Sequence, residues 1–100
     1  MILTKRKPVS VGEMLKEEFL KPMGITQDQL AEAMGVGRKT VSELCNNKRT
    51  ITADTALILA TVFGNSAEFW MNLQQRNELW KAMNTPERWE RINKAHPIAA

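Results

Sequence analysis

Side chains that enzymes rely on are scarce in this 100-residue sequence, which has one histidine, one cysteine and no tyrosine. His96 falls in the C-terminal tail and Cys45 inside a helical motif. Neither a metal-ligand cluster nor a nucleophile–base pair can be assembled from them, which argues against a catalyst and against a metal or other cofactor. A lone cysteine excludes an intramolecular disulfide and suits a reducing cytoplasm, where the chain is expected to reside. No apolar run approaches the length of a membrane span, and no apolar stretch follows Lys5-Arg6-Lys7 to make a signal peptide. Internal repeats, low-complexity tracts and alternating runs long enough for a strand are also missing. Gly35 to Thr40 superficially resembles a phosphate loop, but it lacks a Gly-Lys-Thr junction and follows no strand. No small-molecule substrate is indicated.

What remains is helical periodicity in a chain that is 43% hydrophobic, enough for one modest core. A first helix is expected from Val11 to Lys21, with Ser10 as cap, Glu13 as its capping-box partner, and Met14, Leu15 and Phe19 facing inward. Pro22 and Gly24 should stop it. Thr52 caps a fourth helix whose inner face is read as Ala56, Leu57, Ala60 and Phe63, flanked by Leu59 and Val62. A long fifth helix begins behind Ser66 and reaches Met83; Thr85-Pro86 opens a short sixth. Residues 1–9 form a basic arm, 10–83 the main domain, and 84–100 the last helix and tail.

The most informative stretch is Thr26 to Lys48. Thr26 and Gln29 make a capping box, Leu30, Ala31 and Met34 an apolar face, and Gly35 a left-handed stop. A second helix from about Arg38 to Asn46 buries Val41 and Leu44 and turns Arg38, Lys39, Ser42 and Glu43 outward. This is a helix-turn-helix.

Gln27, Leu30, Ala31, Gly35, Val36, Val41 and Ser42 carry a pattern that resembles the Cro and phage-repressor (XRE) class. Pro8 to Gly24 and Ile51 to Trp80, above all Ala67-Glu68-Phe69-Trp70 with Asn72-Leu73-Gln74, resemble the HigA antitoxins. The resemblance implies an all-α, lambda-repressor-like bundle of five to six helices that binds operator DNA. It also implies repression of its own operon and neutralisation of a HigB-type mRNA-cleaving toxin. The alternative is a free-standing phage or plasmid-type repressor with no toxin partner.

In that class the start of the second motif helix enters the major groove. The corresponding positions are Gly37, Arg38, Lys39, Ser42 and Glu43. Arg38 can donate to guanine O6 and N7, and Glu43 can accept from cytosine N4. Gln27, Gly37, Asn46, Asn47, Lys48 and Arg49 are candidate phosphate contacts. Simpler roles stand beside these: a turn at Gly37, a phosphate contact at Lys39, an ion pair from Glu43 to Arg38 or Lys39, and a small buried residue at Cys45. Asn47 tolerates the left-handed geometry expected of the loop after the motif.

Charge separates two surfaces. Gly37 to Thr50 holds Arg38, Lys39, Lys48 and Arg49 against Glu43 alone, whereas Val11 to Ala33 sets Glu13, Glu17, Glu18, Asp28 and Glu32 against Lys16 and Lys21. The five acids are candidate contacts for a basic toxin. One small domain offers few DNA contacts, so a two-fold homodimer on a palindromic site is expected. Trp70, Leu79, Trp80 and Trp89 are its candidate interface, unless the tryptophans belong to the monomer core.

Overall fold

The computed structural model describes residues 6–98, and every regular element among them is a helix. Helix α1 covers residues 11–23, α2 Gln27–Met34, α3 Arg38–Cys45, α4 Ala53–Phe63, α5 Ala67–Met83 and α6 Pro86–Asn93. The all-helical class follows from local signals that recur along the chain. Ser10, Thr26, Thr52 and Ser66 each accept a hydrogen bond from the backbone N–H three residues on. Gly24, Gly35 and Gly64 close α1, α2 and α4 in the left-handed conformation.

Helix α1 departs from the expected form. After an α-helical start at Val11–Met14 it widens into a π-helical Leu15–Leu20, where the Lys21 N–H reaches back to the Lys16 carbonyl. Pro22 therefore does not stop it. Proline lacks an N–H and crowds the carbonyl four residues back, and the wider register accommodates that deficit for one more turn until Gly24. Thr85 also differs from expectation: its hydroxyl donates to the Lys81 carbonyl at 2.6 Å instead of capping α6.

The core joins α1 to α4 and the beginning of α5. Leu15, Leu30, Val41, Leu44, Leu59 and Trp70 are fully buried. Trp70, expected at a dimer surface, belongs to this core. Its ring lies 5.1 Å from Phe19 and 5.0 Å from Phe69 between centroids, the latter edge-on, and its Nε1 donates to Asn65 Oδ1 at 2.9 Å. The inner face of α4 likewise differs. Ala56, Leu59 and Phe63 recur at helical spacing and pack inward, whereas Leu57 lies about 100° around the helix from Ala56 and is 59% exposed.

The molecule is elongated, 53 × 23 × 22 Å, with a radius of gyration of 16.3 Å. A compact chain of this length would give about 13 Å. The excess comes from the end of α5 and from α6, which packs chiefly on α5 and carries exposed Trp89 and Ile92 away from the core. The expected basic arm is described from Arg6 onward; Lys5 lies outside the described residues, as do Ala99 and Ala100 of the tail.

Candidate nucleic-acid interface

Helix α2 is fixed at both ends. Thr26 Oγ1 accepts from the Gln29 N–H at 3.1 Å while Gln29 Oε1 accepts from the Thr26 N–H at 2.8 Å. At the other end, Gly35 has φ 72° and the Val36 N–H bonds to the Ala31 carbonyl at 3.0 Å. The chain then enters α3 through Gly37. Val41, Leu44 and Cys45 face the core, leaving Arg38 and Lys39 exposed and Ser42 and Glu43 half-buried on the other side.

Gly37 is not required by the turn. Its φ is −75°, open to any residue, and a Cβ there would meet nothing within 4 Å. Empty space directly before an exposed helix N-terminus suits close approach by a phosphate.

The exit loop is held more firmly than its sequence suggests. Asn47 adopts φ 57°, the left-handed geometry expected there. Its side chain, however, is turned inward: Oδ1 accepts from the Gly12 N–H at 2.9 Å and Nδ2 donates to Ser10 Oγ at 3.0 Å. Asn46 Nδ2 donates back to the Ser42 carbonyl at 2.9 Å. The Asn47 amide is thus engaged at the start of α1, which gives it a structural role in holding the loop. Gly12 permits the contact, because a Cβ would collide with the Cys45 carbonyl and lie 2.8 Å from Asn47 Oδ1. From the other side, Gln74 of α5 accepts from the Ile51 N–H at 2.5 Å and donates to the Ile51 carbonyl at 2.9 Å. Asn77 Nδ2 donates to the Val9 carbonyl at 2.8 Å.

Two ion pairs shape the exposed face. Arg38 Nη1 lies 3.1 Å from Asp28 Oδ2, and Arg49 Nη2 lies 2.8 Å from Glu43 Oε1, with Arg49 Nε also donating to that oxygen. Glu43 therefore pairs with Arg49, not with Arg38 or Lys39. The Arg49 hydrogen bond holds the Glu43 carboxyl below its ordinary value against an opposing desolvation; Arg49, Lys39 and Lys48 charges add to the lowering. Lys39 and Lys48 are exposed, and Gln27 stands half-buried at the first position of α2.

The acidic candidates divide. Glu13, Glu17 and Glu18 border one shallow groove floored by Val9, Met14, Phe19 and Phe69. Asp28 instead sits beside Arg38 on the basic face. Leu79 and Trp89 are 40% and 36% exposed, and Trp80 is half-buried. Among the described residues no group of acids, histidine and cysteine could hold a metal, and no helix is long and apolar enough to cross a membrane. Spacing within the motif could not reveal Gln74 and Asn77, since both act on backbone distant in sequence.

Similarity to known proteins coincides with this region. The helix-turn-helix family matches residues 16–70. The chain is 59% identical over 81 residues to Antitoxin HigA-1 of Vibrio cholerae, covering 81% of this chain and 76% of that one. Antitoxin HigA of Pseudomonas aeruginosa, solved with the higBA promoter, superposes with TM-score 0.82 at 34% identity, covering 93% of this chain and 99% of that one. Antitoxin GraA in complex with its operator gives TM-score 0.86 at 33% identity over all of both chains.

Proposed function

The chain belongs to the HigA antitoxin family of helix-turn-helix proteins, and from that we propose that it represses its own operon as a dimer and neutralises a HigB-type toxin. The observation that carries the DNA half is the exposed basic edge of α3 and its exit loop, rigidly set against α1, α2 and α5. Arg38 reads guanine in the major groove, with Ser42 and Lys39 beside it. Lys48, Arg49, the Gly37 backbone and the N-terminus of α2 at Gln27 take phosphates. Relatives solved with operator or promoter DNA support the DNA-binding reading.

Two copies meet through Leu79, Trp80 and Trp89, joined by Ile92, on the part of the molecule that projects beyond the core. The toxin docks on the groove bordered by Glu13, Glu17 and Glu18, where carboxylates surround an apolar floor suited to a basic partner. The protein works in the cytoplasm, where DNA and toxin are both met.

The test is binding to its own upstream DNA at two salt concentrations, with and without the product of the neighbouring gene. Salt-sensitive, sequence-specific binding that Arg38→Ala weakens and makes less selective supports the repressor. A stoichiometric complex that Glu17→Lys/Glu18→Lys disrupts supports the antitoxin role and its surface. DNA binding without any toxin complex leaves the free-standing repressor.

A further inference from the structure

A second cleft opens beside the exit loop, where the loop meets α5 and the N-terminal segment. Its lining combines Arg49 and Thr50 of the loop, Asn77, Glu78 and Lys81 of α5, and Lys7. Three cations therefore meet around one carboxylate. Arg49 is already paired with Glu43, whereas Lys7 and Lys81 have no ion-pair partner among the described residues. Neither lysine is placed there by a loose backbone. Asn77 holds the Val9 carbonyl, two residues beyond Lys7, and Lys81 follows Asn77 by one helical turn. Gln74 fixes the facing loop through Ile51.

We propose that this cleft is a second backbone subsite, in which Lys7 and Lys81 hold a DNA phosphate beyond those taken by Lys48 and Arg49. The inference rests on the DNA-binding reading above and extends it to α5 and the N-terminal segment. An open cleft that brings the Lys7, Arg49 and Lys81 cations together beside the loop of Lys48 and Arg49 suits a phosphate, whose neutralisation releases counterions without reading sequence. Glu78 opposes the anion and sets a limit on its affinity.

The test is fluorescence anisotropy with a labelled duplex from the chain's own upstream region and a scrambled duplex of equal length, across a series of salt concentrations. Lys7→Ala/Lys81→Ala should weaken both duplexes alike. It should also reduce the slope of log K against log salt by about 0.9 for each lysine in each bound protomer. Glu78→Gln should shift affinity the opposite way. Both changes are at exposed positions, and melting curves check that the fold is retained. An unchanged slope in the double variant, or a loss confined to the specific duplex, overturns the subsite while leaving the DNA reading intact. A wild-type protein that binds neither duplex at any salt concentration overturns both.

Discussion

Arg38 Nη1 lies 3.1 Å from Asp28 Oδ2, so the first residue of α3 is tied across the turn to the first turn of α2. Both side chains are about two-thirds exposed. The pair keeps a guanidinium extended on the basic face, and a base edge must displace the carboxylate to use it. Arg38→Ala should lower specific affinity by about 1–3 kcal/mol and relax the preference at one base position. Asp28→Asn should do the reverse for any duplex by removing an anion from the DNA face. An exposed pair is worth only about 0–1 kcal/mol, so thermal stability should barely move. Paired anisotropy titrations and melting curves check both, and weaker DNA binding by Asp28→Asn would count against this geometry.

Gln74 grips both polar groups of Ile51, a residue only 3% exposed. Gln74→Ala should leave a buried backbone N–H and carbonyl without partners, costing about 1–3 kcal/mol. For a domain of this size that lowers the melting temperature by roughly 4–8 °C per kcal/mol. DNA affinity should fall as well, because Ile51 ends the loop that carries Lys48 and Arg49. A variant that loses stability but binds DNA normally would confine Gln74 to the fold.

How much could be read from sequence depended on distance along the chain. The caps at Ser10, Thr26, Thr52 and Ser66 and the stops at Gly24, Gly35 and Gly64 act within three or four residues, and the helices appear where those signals lie. Partners were harder. Leu57 and Leu59 are equally apolar, and only the packing of α4 decides that Leu57 faces outward. Trp70 and Trp89 are the same residue type, yet one completes an aromatic cluster with Phe19 and Phe69 and the other lies beyond the core. Asn47 satisfied the local demand for left-handed backbone, but its amide answers Gly12 and Ser10, more than thirty residues earlier.

Gly12 and Gly37 should respond oppositely to an added side chain. Gly12→Ala places a Cβ against the Cys45 carbonyl, and overpacking of this kind costs about 1–3 kcal/mol. Gly37→Ser meets open space and supplies a capping hydroxyl at the N-terminus of α3, so it should raise stability modestly. The same substitution should weaken DNA binding, because the added side chain occupies the approach to the backbone N–H groups. Urea unfolding and anisotropy on both variants measure the contrast. Normal DNA affinity in Gly37→Ser would remove that residue from the phosphate contacts.

The tryptophans separate fold from assembly. Trp70→Ala removes the largest fully buried side chain and should cost about 3–5 kcal/mol, enough to unfold much of a marginal domain. Trp89→Ala alters a residue 36% exposed on the projecting α6 and should leave the helix content of the monomer intact. Sedimentation should show it shifted toward monomer, with a melting temperature less dependent on concentration than that of the parent. An unchanged dissociation constant would move the dimer surface elsewhere.

Cys45 is fully buried at the end of α3, and burial pushes its thiol up from the ordinary value of 9.0, opposed by the Lys16 charge. The unfolded chain loses this proton first. Its contribution is therefore fully present below the unfolded pKa and is lost as pH rises through the folded one. Urea unfolding at pH 7, 9 and 10 should show wild-type stability declining above about pH 9 more steeply than that of Cys45→Ala. The alanine variant starts lower, having lost a buried sulfur, so the difference between the two should narrow with pH. Because other groups titrate in both proteins, the diagnostic quantity is that difference and not either curve alone. Thiol labelling at pH 8 should proceed only as fast as the domain opens. Rapid labelling of the folded protein, or parallel stability curves, would place the Cys45 thiol in contact with water and contradict its position in the core.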